Sequence, residues 1–161
     1  MKSNLDYGTS AASASPQTDN CLNEKYCYND DNANCSTFGG LYQWDELMQY
    51  QFTPGSKGLC MPGWHVPTNA EWLELFNVYQ NQGTAGKPLQ EPVTLGFNAK
   101  LSGILYNNIY WDFKDFATLY WTSTLSTPTR ALTHGLNTIN YSVSDYTSAR
   151  SNALPVRCVK D

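Results

Sequence analysis

Gly63-Trp64-His65-Val66-Pro67-Thr68-Asn69-Ala70-Glu71-Trp72 is the stretch on which the architecture turns. Thr68 stands three residues before Glu71, with Pro67 ahead of it. That is capping-box spacing: the threonine hydroxyl accepts from the Glu71 backbone N–H, and the glutamate reaches back to the Thr68 N–H. Trp72, Leu75, Phe76 and Tyr79 then recur on one face, so an amphipathic helix opens at this cap. Gly83 is expected to stop it by about residue 82, and Gly86, Pro88 and Pro92 read as a loop. Upstream, Trp44, Leu47 and Met48 fall at i, i+3 and i+4 after Gly39-Gly40, which predicts a second, short helix.

From Leu95 onward the pattern changes to short strands. Candidates are Leu119–Ser123, Arg130–His134, Ile139–Val143 and the alternating end Leu154–Val159. Helices first and strands second is an α+β order, not a parallel α/β one. The last strand is expected to pair near the start of the chain, and a Cys60–Cys158 bridge would hold it there.

The flanks are less regular. Residues 1–20, rich in Ser, Ala and Thr and without an apolar period, read as a flexible linker ahead of a domain at 21–161. Met1-Lys2-Ser3-Asn4-Leu5 leads into no hydrophobic stretch, so it is not a signal peptide. The five cysteines form no C-x-x-C pair, and no clustered histidines support zinc. Loosely spaced cysteines in an Asn/Ser-rich chain point to disulfides and an oxidising compartment, hence a secreted, cell-surface or virion-associated protein. Five reduced thiols in a cytosolic protein is the other reading. A Cys27–Cys35 bridge would close the loop Tyr28–Asn34, whose Asp30 and Asp31 suit either an ordinary Asx-rich turn or a calcium ion. No other cofactor is suggested.

Composition narrows the function classes. Charged residues make up 15% of the chain, so polarity is carried by Asn, Gln, Ser, Thr and Tyr; aromatics reach 14%, which excludes disorder along the whole length. The net charge is −4 and Lys and Arg are scattered singly, which argues against nucleic acid. No apolar run approaches the roughly 18 residues of a membrane span. No Gly-x-Ser-x-Gly, His-Glu-x-x-His or phosphate-binding glycine loop is present. His65, beside Trp64 and Val66, reads as a packed structural residue. Asp45 and Glu46 would point about 100 degrees apart on a helix and form no carboxylate pair. The chain is therefore read as non-enzymatic.

Positive information is concentrated between Ile104 and Trp121. Seven of these 18 residues are aromatic, where the chain average predicts two or three, and they follow no helical period. A small core cannot bury them all, so some rings face outward. Residues 122–154 follow with 18 of 33 positions Ser, Thr, Asn or Tyr. Rings supply contact area at low entropic cost and hydroxyls supply adjustable hydrogen bonds, the chemistry of a binding surface. An ordinary antiparallel sheet with a Thr/Ser solvent face and its rings inside fits the same composition. The candidate ligand-binding residues are Leu105, Tyr106, Tyr110, Trp111, Asp112, Phe113, Phe116, Tyr120, Arg130, His134, Tyr141 and Tyr146. Trp44, Trp64, Trp72 and Trp121 are read as core.

Tyr26-Cys27-Tyr28, Gly39–Glu46, Gly58–Trp72, Trp121-Thr122-Ser123-Thr124 and Pro155–Asp161 together resemble the Fibrobacter succinogenes major paralogous domain from about residue 21 to the end. His65–Trp72 also resembles the helix start of formylglycine-generating-enzyme domains. That resemblance implies a C-type lectin-like fold, with two helices packed on short antiparallel strands and long loops. Formylglycine chemistry needs a reactive cysteine pair in the C-terminal half, where this chain has only Cys158. Glu91-Pro92-Val93 and Trp111-Asp112-Phe113 only graze the motifs of calcium-dependent sugar binding. The chain is also similar to the variable proteins of diversity-generating retroelements: it departs from family residues mainly between Ile104 and Asn152, with Ile104-Leu105-Tyr106 where the family more often has Tyr-Arg. The resemblance implies a receptor for a protein or glycan ligand on another cell or virion. A carbohydrate-binding module for a surface or cell-wall glycan is the second reading.

Overall fold

The computed structural model describes residues 1–90 and 96–161. Glu91–Leu95 lie outside the described residues, and with them Pro92 of the expected loop, the Glu91-Pro92-Val93 motif and the start of the expected strand region at Leu95. In chain order the elements are β1 (Thr9–Ser10), β2 (Glu24–Lys25), a 3-10 turn (Tyr28–Asp30), α1 (Asn32–Phe38), β3 (Tyr42–Gln43), α2 (Trp44–Leu47), β4 (Trp64–His65), α3 (Asn69–Val78) and α4 (Gln82–Gln90). They continue with β5 (Ile104–Tyr106), β6 (Tyr110–Asp112), β7 (Ala117–Thr127), β8 (Arg130–Asn137), β9 (Val143–Ala149), β10 (Ala153–Leu154) and β11 (Val159–Lys160). The class is α+β, with four small sheets ordered β1-β2, β3-β10-β5-β6, β4-β11 and β7-β8-β9.

Both expected helices are present. The Thr68 cap of α3 is a complete capping box, with Glu71 accepting from the Thr68 N–H at 2.8 Å. α2 buries Trp44 and Leu47, with Met48 buried just after it. Two further helices were not expected. Gly86 and Pro88 lie inside α4, not in a loop. The helix survives them because Ala85 and Leu89 bury one stripe against α3 and the β7-β8-β9 sheet. Gly86 supplies the room: a Cβ there would come 1.9 Å from the Tyr141 carbonyl oxygen. α1 occupies half of the expected Asx turn, its N-terminus capped by the Asp31 side chain accepting from the Ala33 N–H at 2.9 Å. Asp30 is likewise engaged, accepting from the Ser13 backbone and hydroxyl.

The strands shift in two places. The third expected strand, Ile139–Val143, is largely a turn in which Tyr141 has φ 53°, and the strand β9 begins at Val143. The final strand is split by Pro155: β10 pairs with β3 and β5, and β11 pairs with β4. Both pieces do return to the early part of the chain.

Residues 1–20 are not a linker standing off a domain at 21. Leu5 lies in the main core, its N–H bonded to the Val156 carbonyl at 2.9 Å. Gln17 and Gln43 clasp each other: each side-chain oxygen accepts from the other's backbone N–H, at 2.8 and 3.0 Å. Buried amides of this kind are costly unless paired, so the clasp fixes the segment in place. Only a few apolar residues anchor it, which is why composition alone reads it as free.

Three apolar clusters form the core. The largest joins Tyr42, Trp44, Leu47, Met48, Trp121 and Leu154. Its two tryptophans are fully buried with their N–H groups satisfied: Trp44 donates to the Thr122 carbonyl and Trp121 to the Tyr42 carbonyl, each at 2.8 Å. The second packs Trp72 and Phe76 of α3 and Leu89 of α4 on Tyr120, Leu136 and Val143. The third joins Tyr26, Leu41, Leu105 and Ala153. Trp64 packs on the first cluster but is only partly buried. Both expected disulfides are formed, Cys27–Cys35 and Cys60–Cys158, and Cys21 is free and exposed.

Candidate functional site

The β5–β6 hairpin sets the geometry of the site. Its register pairs Ile104 with Asp112, Leu105 with Trp111, and Tyr106 with Tyr110. Strand side chains alternate between faces, so Leu105 and Trp111 share one face while Tyr106 and Tyr110 share the other. Leu105 and Trp111 turn inward: Leu105 is 1% exposed, and Trp111 lies 5.0 Å from the Tyr28 ring. On the other face Tyr110 is exposed and stacks at 5.0 Å on Tyr106, which is partly buried against the main core, and Phe113 and Phe116 continue the row at 6.5 and 6.4 Å. The burial of Tyr106 raises its phenol pKa, with Tyr110 and Asp112 adding to the effect.

The turn that closes this hairpin is anchored. Asn107 and Asn108 have φ values of 47° and 58°, a conformation that asparagine tolerates better than other side chains. The Asn108 amide donates to the Ser13 carbonyl at 2.7 Å and to the Tyr26 hydroxyl at 2.8 Å. Its carbonyl oxygen accepts from Gln43 at 2.7 Å. The Asn107 N–H is held by the Asn152 side chain at 3.1 Å. The hairpin is thereby pinned to the N-terminal segment and to the loop before β10.

Facing the hairpin, the β7-β8-β9 sheet completes a cleft of about 450 Å³. Tyr106, Phe113 and Phe116 line one side, and Leu119, Arg130 and Tyr146 the other. Gly135 makes room at the floor: a Cβ there would lie 2.7 Å from the Tyr146 ring and 2.9 Å from the Leu119 side chain. Tyr146 is 50% exposed and Tyr110 53%, so both offer ring surface to solvent. A volume in this range, with apolar walls and few polar groups, is ordinary for a ligand pocket, roughly 300–1,000 Å³.

Of the twelve candidate residues, Tyr106, Phe113, Phe116, Arg130 and Tyr146 meet in the cleft, and Tyr110 stacks at its rim. Three belong to the core instead. Leu105 packs in the third cluster. Tyr120 is fully buried and donates to Asn4 at 3.1 Å and to the Lys100 carbonyl at 3.2 Å. His134 is 1% exposed, with its ring 5.5 Å from Trp72 and 5.0 Å from Phe76. Burial lowers the His134 pKa, and the carboxylate of Asp145, 2.9 Å from Nδ1, does not overcome it. These three occupy inward registers of their strands, which composition does not reveal. Trp111 is half-buried beside Tyr28, Asp112 is exposed and accepts from the Phe113 N–H, and Tyr141 lies on the turn against α4. None of them lines the cleft. The residues that sequence reasoning missed are Leu119, Gly135 and Ile139, the last 73% exposed on the cleft edge. Gly135 within a strand pattern was the available signal, because such a glycine marks close approach by another group.

The family model for the Fibrobacter succinogenes major domain matches residues 1–160. The chain belongs to that family. The match includes the N-terminal segment that packs on the hairpin turn, so in this Fibrobacter major domain the segment is part of the domain. No curated protein and no solved structure matches the chain. Among the described residues, no group of three or more His, Cys, Asp or Glu side chains is arranged to hold a metal ion.

Proposed function

We propose that this member of the family is a non-enzymatic binding domain with a C-type lectin-like architecture. Its aromatic cleft takes a protein ligand presented on another cell or virion. The observation that carries this reading is the convergence of Tyr106, Phe113, Phe116 and Tyr146 on one open cleft, with Tyr110 stacked at its rim. Rings of this kind dominate interface energies, and the anchored hairpin lowers the ordering cost of binding. A formylglycine-type oxidation is disfavoured because Cys158 is tied to Cys60. Two disulfides favour secretion or surface display. No helix among the described residues is long and apolar enough to cross a membrane.

Diversification by a retroelement is part of the proposal. β6 exposes Tyr110 and Asp112, and β9 exposes Asp145, Tyr146 and Thr147 between buried Val143 and Ser148, so exposed residues can change while the buried ones keep the packing. Flanking DNA with neither a near-copy template nor a reverse transcriptase gene would remove that part. The binding test is an alanine series at the five rings, read as binding of labelled protein to intact cells from the same habitat. Each anchor should cost about 2 kcal/mol or more, roughly thirtyfold in affinity. Unchanged binding at all five would defeat the assignment.

Glycan binding is the second reading, favoured by one observation: Tyr110, stacked on the partly buried Tyr106, is 53% exposed and offers a flat ring of the kind sugars stack on. A glycan array with and without chelator separates the two. Sugar binding registers there, and protein recognition does not.

A further inference from the structure

The cleft has an electrostatic asymmetry that defines its ligand more closely. Arg130 is the one Asp, Glu, Lys, Arg or His side chain among the described residues lining it. The protein as a whole carries a net charge of −4. The other arginines of the second half are already committed. Arg150 pairs with Asp45, and Arg157 is buried against the Asn4 side chain and the Phe97 and Asn98 carbonyls. Arg130 has no carboxylate partner among the described residues. Its Nε donates to the Thr147 hydroxyl at 3.0 Å, and its Nη2 donates to the Thr147 carbonyl. Those two bonds hold the guanidinium against β9. A guanidinium has five N–H donors, so both hydrogens of Nη1 and one of Nη2 remain open.

A positioned, unpaired guanidinium beside an aromatic wall matches a carboxylate neighbouring a ring or branched apolar side chain. Planar fork geometry favours carboxylate over a neutral amide, because a carboxylate presents two oxygens and an opposite charge to the fork where an amide presents one neutral oxygen. Resting on the proposed binding function, we propose that the cleft takes a segment of a partner protein in which an aromatic side chain stands next to an acidic one. The ring enters between Phe113, Phe116 and Leu119, and the carboxylate pairs with Arg130. The uncharged remainder of the lining lets the ring in without burying a second charge. Against a net charge of −4, Arg130 gives the cleft the opposite sign, which suits an acidic segment.

The test is an NMR titration of ¹⁵N-labelled protein with capped dipeptide amides, phenylalanyl-glutamate against phenylalanyl-glutamine. The acidic peptide should shift the amides of Leu119, Gly135 and Thr147 and bind about five- to tenfold more tightly than the amide form, consistent with a charge-assisted bond. Arg130→Gln should remove that preference, so that the two peptides bind equally. Arg130 is exposed, so the variant is expected to fold. Equal binding of the two peptides would overturn the inference while leaving a peptide-binding cleft in place. Absence of shifts with both peptides would overturn the inference together with the binding function at this cleft. Two further results would name a different occupant and overturn it: shifts of the same amides by an uncharged oligosaccharide, or concentration-dependent broadening of them without peptide, the signature of a second copy.

Discussion

Removing the Cys60–Cys158 bridge should destabilise the protein about twice as much as removing Cys27–Cys35. The first bridge spans 98 residues and the second 8. If a cross-link acts by restricting the unfolded chain, its contribution grows with the logarithm of the loop it closes. The long loop then corresponds to about 4.7 kcal/mol and the short one to about 2.5 kcal/mol. All four cysteines are at least 96% buried, with exposures of 1 to 4%. Packing lost on truncation to alanine is therefore similar for the two pairs and largely cancels in their comparison. The assay is urea unfolding of Cys60→Ala/Cys158→Ala and Cys27→Ala/Cys35→Ala, followed by tryptophan fluorescence, since Trp44, Trp72 and Trp121 are buried and report on the core. Equal losses, or a larger loss from the short loop, would refute the argument from unfolded-chain entropy.

Other expectations follow from single residues. His134 has a folded-state pKa below its ordinary value because it is buried, so the unfolded chain takes up a proton first as the solution is acidified. Stability should therefore fall as the pH drops below about 6.5, and His134→Gln should flatten that slope in thermal melts. His65 has the opposite sign. Burial pushes its pKa down, but hydrogen bonds and charge from Asp161 and Glu71, each 2.7 Å away, hold it above its ordinary value. Its contribution is fully present below about pH 6.5 and is lost as the pH rises through the folded value; melts of His65→Gln that keep the full pH dependence would contradict this. Gly86→Ala should cost about 1–3 kcal/mol by driving a methyl into the Tyr141 carbonyl, measured by urea unfolding. Gly83→Ala in the same helix meets only the Asn81 side chain, at 3.1 Å, and should be neutral or stabilising by up to about 1 kcal/mol. Thr68→Ala should cost about 1 kcal/mol by leaving the Glu71 N–H without its cap.

What could be read beforehand followed local chemistry. Thr68 and Glu71 lie three residues apart and specify the start of α3 without help from the rest of the chain. The α+β class follows from the same kind of local pattern. Gly86 and Pro88 predict a loop equally locally, and here the fold overrides them, because Ala85 and Leu89 find partners that lie far away in sequence. The site shows the same division. An excess of rings between residues 104 and 121 indicates that some must face solvent, and several do. Which ones do is set by register: Leu105 pairs with Trp111 on one face, and Tyr106 pairs with Tyr110 on the other. A register shift of one residue would exchange those faces, and composition is blind to it. Tyr120 and His134 were misread for that reason. The N-terminal segment was misread because a clasp between Gln17 and Gln43 has no hydrophobic period to announce it.

Gly135 lets the Tyr146 ring settle where a methyl group would otherwise stand, since a Cβ there would come 2.7 Å from the ring. A single codon change there would push the tyrosine aside and make the recess shallower, with every ring that lines it unchanged in identity. The depth of the cleft and the identity of the rings that line it are thus set at different positions, so its shape is adjustable at Gly135 without exchanging any ring.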